Sequence, residues 1–287
     1  MAKVNKKSSL AKRNIKKFME NKMAVLGLAI LAVILFMCIF APLLTPYDPN
    51  LIDPTIRELP CSAEHPLGTD RVGRDVFARI LYGGRMSITI GVVCALGSTL
   101  VGTALGCIAG FYGGKVDRAL VTFQEFFSIF PQTLLILLCI SFLGKSTFNL
   151  FFIFIVTSWP GLMRVVRARI MSLKQEPFVE SCRANGISSF SIMFHHMLPN
   201  TMGPVIVYTM LNIPGFILSE AGLSFIGMGV PDNVVTWGNI INAARRIDII
   251  QNMPMLWLGP GIAICLFTLS MNLFGNGLRD VLDPSAQ

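Results

Sequence analysis

No charged residue occurs between Met23 and Tyr47, and that run limits what the chain can fold into. A helix needs about 20 apolar residues to cross the hydrocarbon of a bilayer. We place a first span at 23–44. A secretory leader would have a shorter apolar core followed by a small-residue cleavage site. Here the run ends Ala41-Pro42-Leu43-Leu44-Thr45-Pro46-Tyr47-Asp48, which offers no such site. Ahead of it stand Lys3, Lys6, Lys7, Lys12, Arg13, Lys16, Lys17 and Lys22 against Glu20. Basic flanks stay on the cytoplasmic side, so residues 1–22 read as a cytoplasmic N-terminus.

Comparable runs predict five more spans, at about 86–111, 119–142, 148–163, from after Pro199 to about 222, and 255–274. Pro131 falls inside the third as a kink of the kind membrane helices tolerate. Charged residues make up 14% of the chain, against about a quarter in a soluble domain. The fold class is therefore an all-α integral membrane protein with six transmembrane helices and both termini cytoplasmic. The net charge of +8 follows from where Lys and Arg flank the spans, so no nucleic-acid partner is implied. Of the seven cysteines, five lie in apolar runs and none forms a C-x-x-C pair. They read as small buried side chains, neither a disulfide set nor a metal site. The chain divides into the basic N-terminus 1–22, the first span 23–44, an extracytoplasmic segment 45–85, a five-helix core 86–275 with a cytoplasmic loop at 164–200, and a cytoplasmic tail 276–287. Gly102, Gly106 and Gly110 share one helix face and admit close approach of another helix, in this chain or in a second subunit.

The stretch 176–201 is a polar interruption between apolar runs. Glu176 and Pro177 start a short helix, and Gly186 can end it in the left-handed conformation. A second short helix, 188–197, is expected to stop at Leu198-Pro199-Asn200. A loop this stiff reads as a docking surface. It resembles the cytoplasmic loop of ABC importer transmembrane subunits: E-A-A, three residues, G, nine residues, a hydrophobic residue, one more, then L-P. Glu180 stands at E, Ser181 and Cys182 at the two alanines, Gly186 at G, His196 at the hydrophobic position and Leu198-Pro199 at L-P. Ser181 and Cys182 depart from the pattern but stay small; His196 departs in character. The resemblance implies that this loop, with Pro177 at its start, is the coupling helix seated in a groove of an ATPase subunit.

Two outer stretches extend the likeness. His65–Ile88 carries Gly68 and Gly73 for tight turns and Asp75 to start a helix. Val76, Phe77, Ile80 and Leu81 form its apolar face, and Arg74 and Arg79 can reach headgroups or nearby acids. Leu223–Gly229 reads L-S-F-I-G-M-G and is followed by Trp237-Gly238. These stretches and the tail 272–284 resemble the C-type permease subunit of peptide and nickel ABC importers. The resemblance implies a type I importer permease fold in the cell membrane. It also implies a homologous second permease forming a heterodimer, two cytoplasmic ATPases that hold ATP and Mg, and an extracytoplasmic solute-binding protein. Contact with that protein, or an outer gate, would fall to Gly68, Asp70, Gly73, Arg74, Asp75 and Trp237.

The chain has no nucleotide-binding loop of its own. Gly110–Val116 has the wrong glycine spacing and no Ser or Thr after Lys115. No cofactor is expected on this chain and it is not expected to be an enzyme. Acids within spans usually face a cavity, a partner or an interface. Glu125 is read as interfacial, and Glu220 as a substrate-pathway residue able to meet a peptide amino group. His195 and His196 point apart on a helix and make no two-ligand metal face; a docking or packing role is expected. His65 stands as a single candidate nickel ligand. The expected function is import of oligopeptides or dipeptides. The alternatives are the same machinery carrying nickel or a metal chelate, and an ion-coupled secondary transporter.

Overall fold

A computed structural model describes residues 12–282. Lys3, Lys6, Lys7 and the tail from Asp283 lie outside them. After a short helix over 12–20, Asn21 caps α1 (Lys22–Ile39), its side chain accepting from the Ala24 N–H at 3.1 Å. α2 (Val76–Tyr112) is one unbroken helix of 37 residues. The amphipathic stretch after Asp75 and the second span are thus a single element. At 1.5 Å per residue it is about 55 Å long and overshoots the hydrocarbon layer.

α2 packs against α5 (Thr147–Leu173) through its glycine face. A Cβ on Gly102, Gly106 or Gly110 would lie 2.8 Å from the carbonyl oxygen of Trp159, Met163 or Arg167 respectively. The packing partner of this face is therefore in the same chain. The pairing rises in step along both helices, so α2 and α5 run in the same direction. The chain between them must return across the layer.

That return is made by α3 (Gly114–Ile129) and α4 (Gln132–Leu143), which meet at 85°. The expected kink at Pro131 is a break. Phe130 takes φ −88°, ψ 138°, the extended region to which a following proline confines it. Pro131 also has no N–H to continue the ladder. The two halves pass as membrane-length only together.

α5 runs to Leu173, well past Met163, so Arg164, Arg167 and Arg169 ride on the helix and not in a loop. After α6 (Pro177–Ala184) the chain forms one turn at Ser189–Ser191 and a π-helical turn at Ile192–Met197, then continues into α7 (Leu198–Phe225). Leu198-Pro199 does not stop the second short helix. The Leu198 N–H reaches back five residues to Met193. This widened turn accommodates the proline ring and its missing donor. Residues 189–225 form one membrane-length run.

α7 runs antiparallel to α2 and α5: Thr99 meets Thr209 at 2.7 Å, and Phe154 meets Phe216 at 5.5 Å between ring centres. α10 (Met255–Leu282) runs antiparallel to α7, with Gly275 against Leu211. α1 in turn runs antiparallel to α10, with Gly27 against Ser270 and Leu273. Six crossings result, counting α3 with α4 as one. Asn21 and Asp280, 3.2 Å apart, bring both ends of the described chain to the end of the bundle that carries residues 176–197. We call this the loop end. The opposite end, the cap, holds residues 45–75, α8 (Trp237–Ala243) and α9 (Ile247–Asn252). The main core lies between α2, α5, α7 and α10 around Ile90, Phe154, Ile217 and Phe267.

Candidate functional site

At the loop end, α6 starts on Pro177, with Glu176 extended before it. Its side-chain pattern sets its seat. Val179 is fully buried, in one cluster with Ile192, Met193 and Met197 of the π turn, Phe111 of α2, and Leu162 and Val166 of α5. The helix ends as the sequence predicts. Gly186 takes φ +72°, its N–H donates to Arg183 O at 2.9 Å, and the Ile187 N–H donates to Cys182 O at 3.1 Å. These two bonds satisfy carbonyls that a helix end otherwise leaves open.

Glu180, Ser181, Arg183 and Gly186 are exposed, while Cys182, His196 and Leu198 are half-buried. The Ser181 hydroxyl donates back to Pro177 O at 3.0 Å, so the alanine-like position keeps a low profile. Leu198 packs against the same apolar cluster, His196 is half-buried in the π turn, and Pro199 is exposed beside them. Phe178 and Phe190 are exposed at this end too, at 37% and 62%. Motif matching passed over both. Their signal is a large aromatic in an otherwise polar loop.

At the cap, the residues read as binding-protein or outer-gate contacts are mostly buried and bonded within this chain. Asp75 is buried and caps α2, accepting from the Ala78 N–H at 2.6 Å while its other oxygen meets His65 Nδ1 at 2.8 Å. The Tyr47 ring lies over His65. Asp70 is buried and accepts from the N–H groups of Val72 and Arg74, each at 3.0 Å, and from Arg74 Nε at 2.7 Å. Gly68 and Gly73 supply positive φ, and both are buried. Trp237 is buried against α2, donating from its backbone to Ser87 Oγ and from Nε1 to Ile80 O. Arg79 does not reach headgroups; it is buried and donates to Pro49 O at 3.0 Å. Burying these groups holds the cap on the bundle. Of the six proposed contacts only Arg74 is half-exposed.

Glu220, read from the sequence as a substrate-pathway residue, is fully buried in this chain, at 0% exposure. Its Oε1 accepts from Ser224 Oγ at 2.7 Å and Thr236 Oγ1 at 2.9 Å, tying α7 to the cap. Adjacent helix residues point apart, and it is Ser219 that reaches the bundle's cavity. This cavity, of about 390 Å³, opens where α3 and α4 break. Gln132, Ser158, Arg164, Tyr208 and Asn212 are among its polar lining residues, and Phe154 and Phe216 form part of its apolar wall. The sequence reading missed these residues; polar side chains beside a mid-span proline were the available sign. Glu125 is exposed and lines a smaller adjoining cavity of about 210 Å³ with Arg164 and Arg167.

A bundle of membrane-length helices with a polar-lined cavity and a short capped helix at one end is the architecture of a polytopic membrane transport subunit. Comparison with known proteins is specific. Residues 102–287 match the family model described as binding-protein-dependent transport system inner membrane component. Residues 9–60 match the N-terminal transmembrane domain of oligopeptide transport permease C. A putative peptide permease protein of Brucella suis is 38% identical over 96% of this chain and 91% of its own length. A dipeptide transport system permease protein of Alkalihalophilus pseudofirmus is 38% identical over 94% and 88%. An oligopeptide transport system permease protein of Bacillus subtilis is 35% identical over 98% and 92%. The chain belongs to the inner membrane component family of binding-protein-dependent transport systems.

Proposed function

We propose that this chain is the C-type permease subunit of an ATP-driven importer of oligopeptides or dipeptides. It pairs with a homologous second permease, two ATPases that hold ATP and Mg, and an extracytoplasmic solute-binding protein. The observation that carries the reading is α6, capped at Gly186, sharing an apolar cluster with the π turn, α2 and α5, and continued through that turn into α7. The peptide names of its relatives support the substrate class. On this reading the loop end is cytoplasmic, and both termini lie there with the basic N-terminus. Glu180, Arg183, Phe178 and Phe190 would meet the ATPase groove. ATP-driven closure of the ATPases would move α6, and α7 would carry that motion past the cavity. The chain makes and breaks no covalent bond in this scheme.

The test is purification through a tag on this chain, followed by reconstitution of the complex in vesicles. A second six-span permease and two ATPases should co-elute. Labelled peptide should enter only with ATP and the binding protein present. Uptake driven by an ion gradient without ATP would refute the reading. Uptake of nickel but not peptide would move the substrate to a metal.

A further inference from the structure

Arg164 and Arg167 sit one turn apart on α5 and meet different fates. Arg167 is neutralised by Asp117, with Nε and Nη2 donating to the two carboxylate oxygens at 2.5 and 2.7 Å. Arg164 has no ion pair among the described residues and lines the larger cavity. It lies seventeen residues into α5, about 26 Å from the helix start. That depth is still within a hydrocarbon layer of about 30 Å. A charged residue on a membrane helix almost always faces the bundle interior, a water-filled cavity or a partner, and Arg164, exposed in this chain, opens on the larger cavity.

The rest of the cavity suits one kind of anion. Its lining among the described residues includes no Asp or Glu. Gln132 donates its amide N–H to Ser158 Oγ at 2.8 Å, and Asn212 donates to Tyr208 O at 2.7 Å. Each amide oxygen is left able to accept from a backbone N–H. Gly161 leaves room for the Tyr208 hydroxyl beside α5, next to Arg164 in the lining. Hydrogen-bond acceptors on the wall and one cation toward the loop end match a chain of amides ending in a carboxylate.

We propose that this cavity is a station for the carboxyl terminus of a peptide in transit, with Arg164 as the residue that binds the terminal carboxylate. The proposal rests on the peptide-import reading and deepens it. A peptide held here points its carboxyl end toward the loop end, because its amino terminus is repelled by the same guanidinium. A free terminal carboxylate is common to peptides of every sequence, so the contact selects for an intact end and not for side chains.

The experiment uses the complete complex in vesicles with the binding protein outside and ATP inside. The probes are labelled tetra-alanine and its carboxyl-terminal amide, each at a concentration that saturates the binding protein. The readout is the ratio of the two uptake rates, in which expression level and the binding protein's own preference cancel between variants. Arg164→Gln should lower the acid-to-amide ratio about tenfold, the scale of one charge-assisted contact. Arg164→Lys should retain most of it. Glu125, which shares the smaller cavity with Arg164, should leave the ratio at its wild-type value when changed to Gln. An unchanged ratio in Arg164→Gln, with both rates intact or both reduced alike, overturns the proposal. The same loss in Glu125→Gln also overturns it, assigning Arg164 to an ion pair with that acid. Wild-type vesicles that hydrolyse ATP but import neither probe would sink the peptide reading itself.

Discussion

Gly186 offers a test in which backbone conformation and side-chain bulk predict opposite orders. It holds φ +72° at the end of α6, and a Cβ built there meets nothing within 4 Å. A substitution therefore collides with nothing in this chain, and its effect is conformational. A residue with a Cβ in the left-handed region costs about 1–2 kcal/mol. Asparagine escapes most of that because its side chain bonds locally, which is why it follows glycine at such helix ends. A loss of about 1–2 kcal/mol shifts the capped population by a factor of roughly 5–30. α6 spans eight residues, too few to stay helical without its seat and caps.

We expect coupling, measured as peptide imported per ATP hydrolysed in reconstituted vesicles, to fall in the order Gly, Asn, Ala, Val. Gly186→Asn should stay within about twofold of wild type, and Gly186→Ala should lose about fivefold or more. Valine should be worst, since a β-branched residue is a genuine outlier at positive φ. If alanine outperforms asparagine, space against the ATPase governs this position and the argument from the cap is wrong.

Two further perturbations probe the frame. Gly106→Ala should lower the thermal midpoint of the detergent-purified complex, because its Cβ would lie 2.8 Å from both Met163 O and Val166 Cβ; overpacking of this kind costs about 1–3 kcal/mol. Gly222→Ala, in a helix with nothing within 4 Å of the added Cβ, should be neutral or stabilising by up to about 1 kcal/mol, and equal midpoints for the two would refute the close-packed face. Asp75→Ala removes the α2 cap and the partner of buried His65, so amide exchange at residues 76–79 should accelerate by the loss of about 1–2 kcal/mol; unchanged exchange there would mean that the cap is not what holds the start of α2.

Much of this bundle was legible in the charge-free runs, because each membrane-length helix must be apolar to cross. Two X-Pro steps show where such reading stops. At Phe130-Pro131 the residue before proline is extended and the span breaks; at Leu198-Pro199 Leu198 keeps φ −58°, ψ −43° and the helix runs on. The dipeptides carry the same local restriction. What separates them is the turn before: residues 192–197 widen into a π turn, and nothing in a hydropathy pattern reports that. The site divides in the same way. Gly186 and Pro177 have roles set by φ, a local property, and were readable. Asp75 is readable as the start of a helix, a local role it fills at Ala78, whereas the burial of Trp237, Asp75 and Glu220 is not readable locally. Their partners, Ser87, His65 and Thr236, are between 10 and 150 residues away, and only the folded chain brings them together.

The run 189–225 is the one element that touches every part of the proposed cycle. At the loop end its π turn shares an apolar cluster with Val179 of α6. In the middle it presents Tyr208 and Asn212 to the cavity. At the cap Glu220 binds Thr236, next to Trp237, which is itself bonded to α2. A run of 37 residues is about 55 Å long, so one continuous run, with a π turn at its start and Pro204 and Pro214 inside its helix, spans all three. α1 lies apart from the cavity lining: it packs on α10 at Gly27 and meets α2 where Arg85 donates to Cys38 O and Ile39 O, and much of its surface, including Leu26, Val33 and Phe36, is exposed. On the proposed cycle, force applied at α6 has a continuous route through α7 to the cavity wall and to the cap.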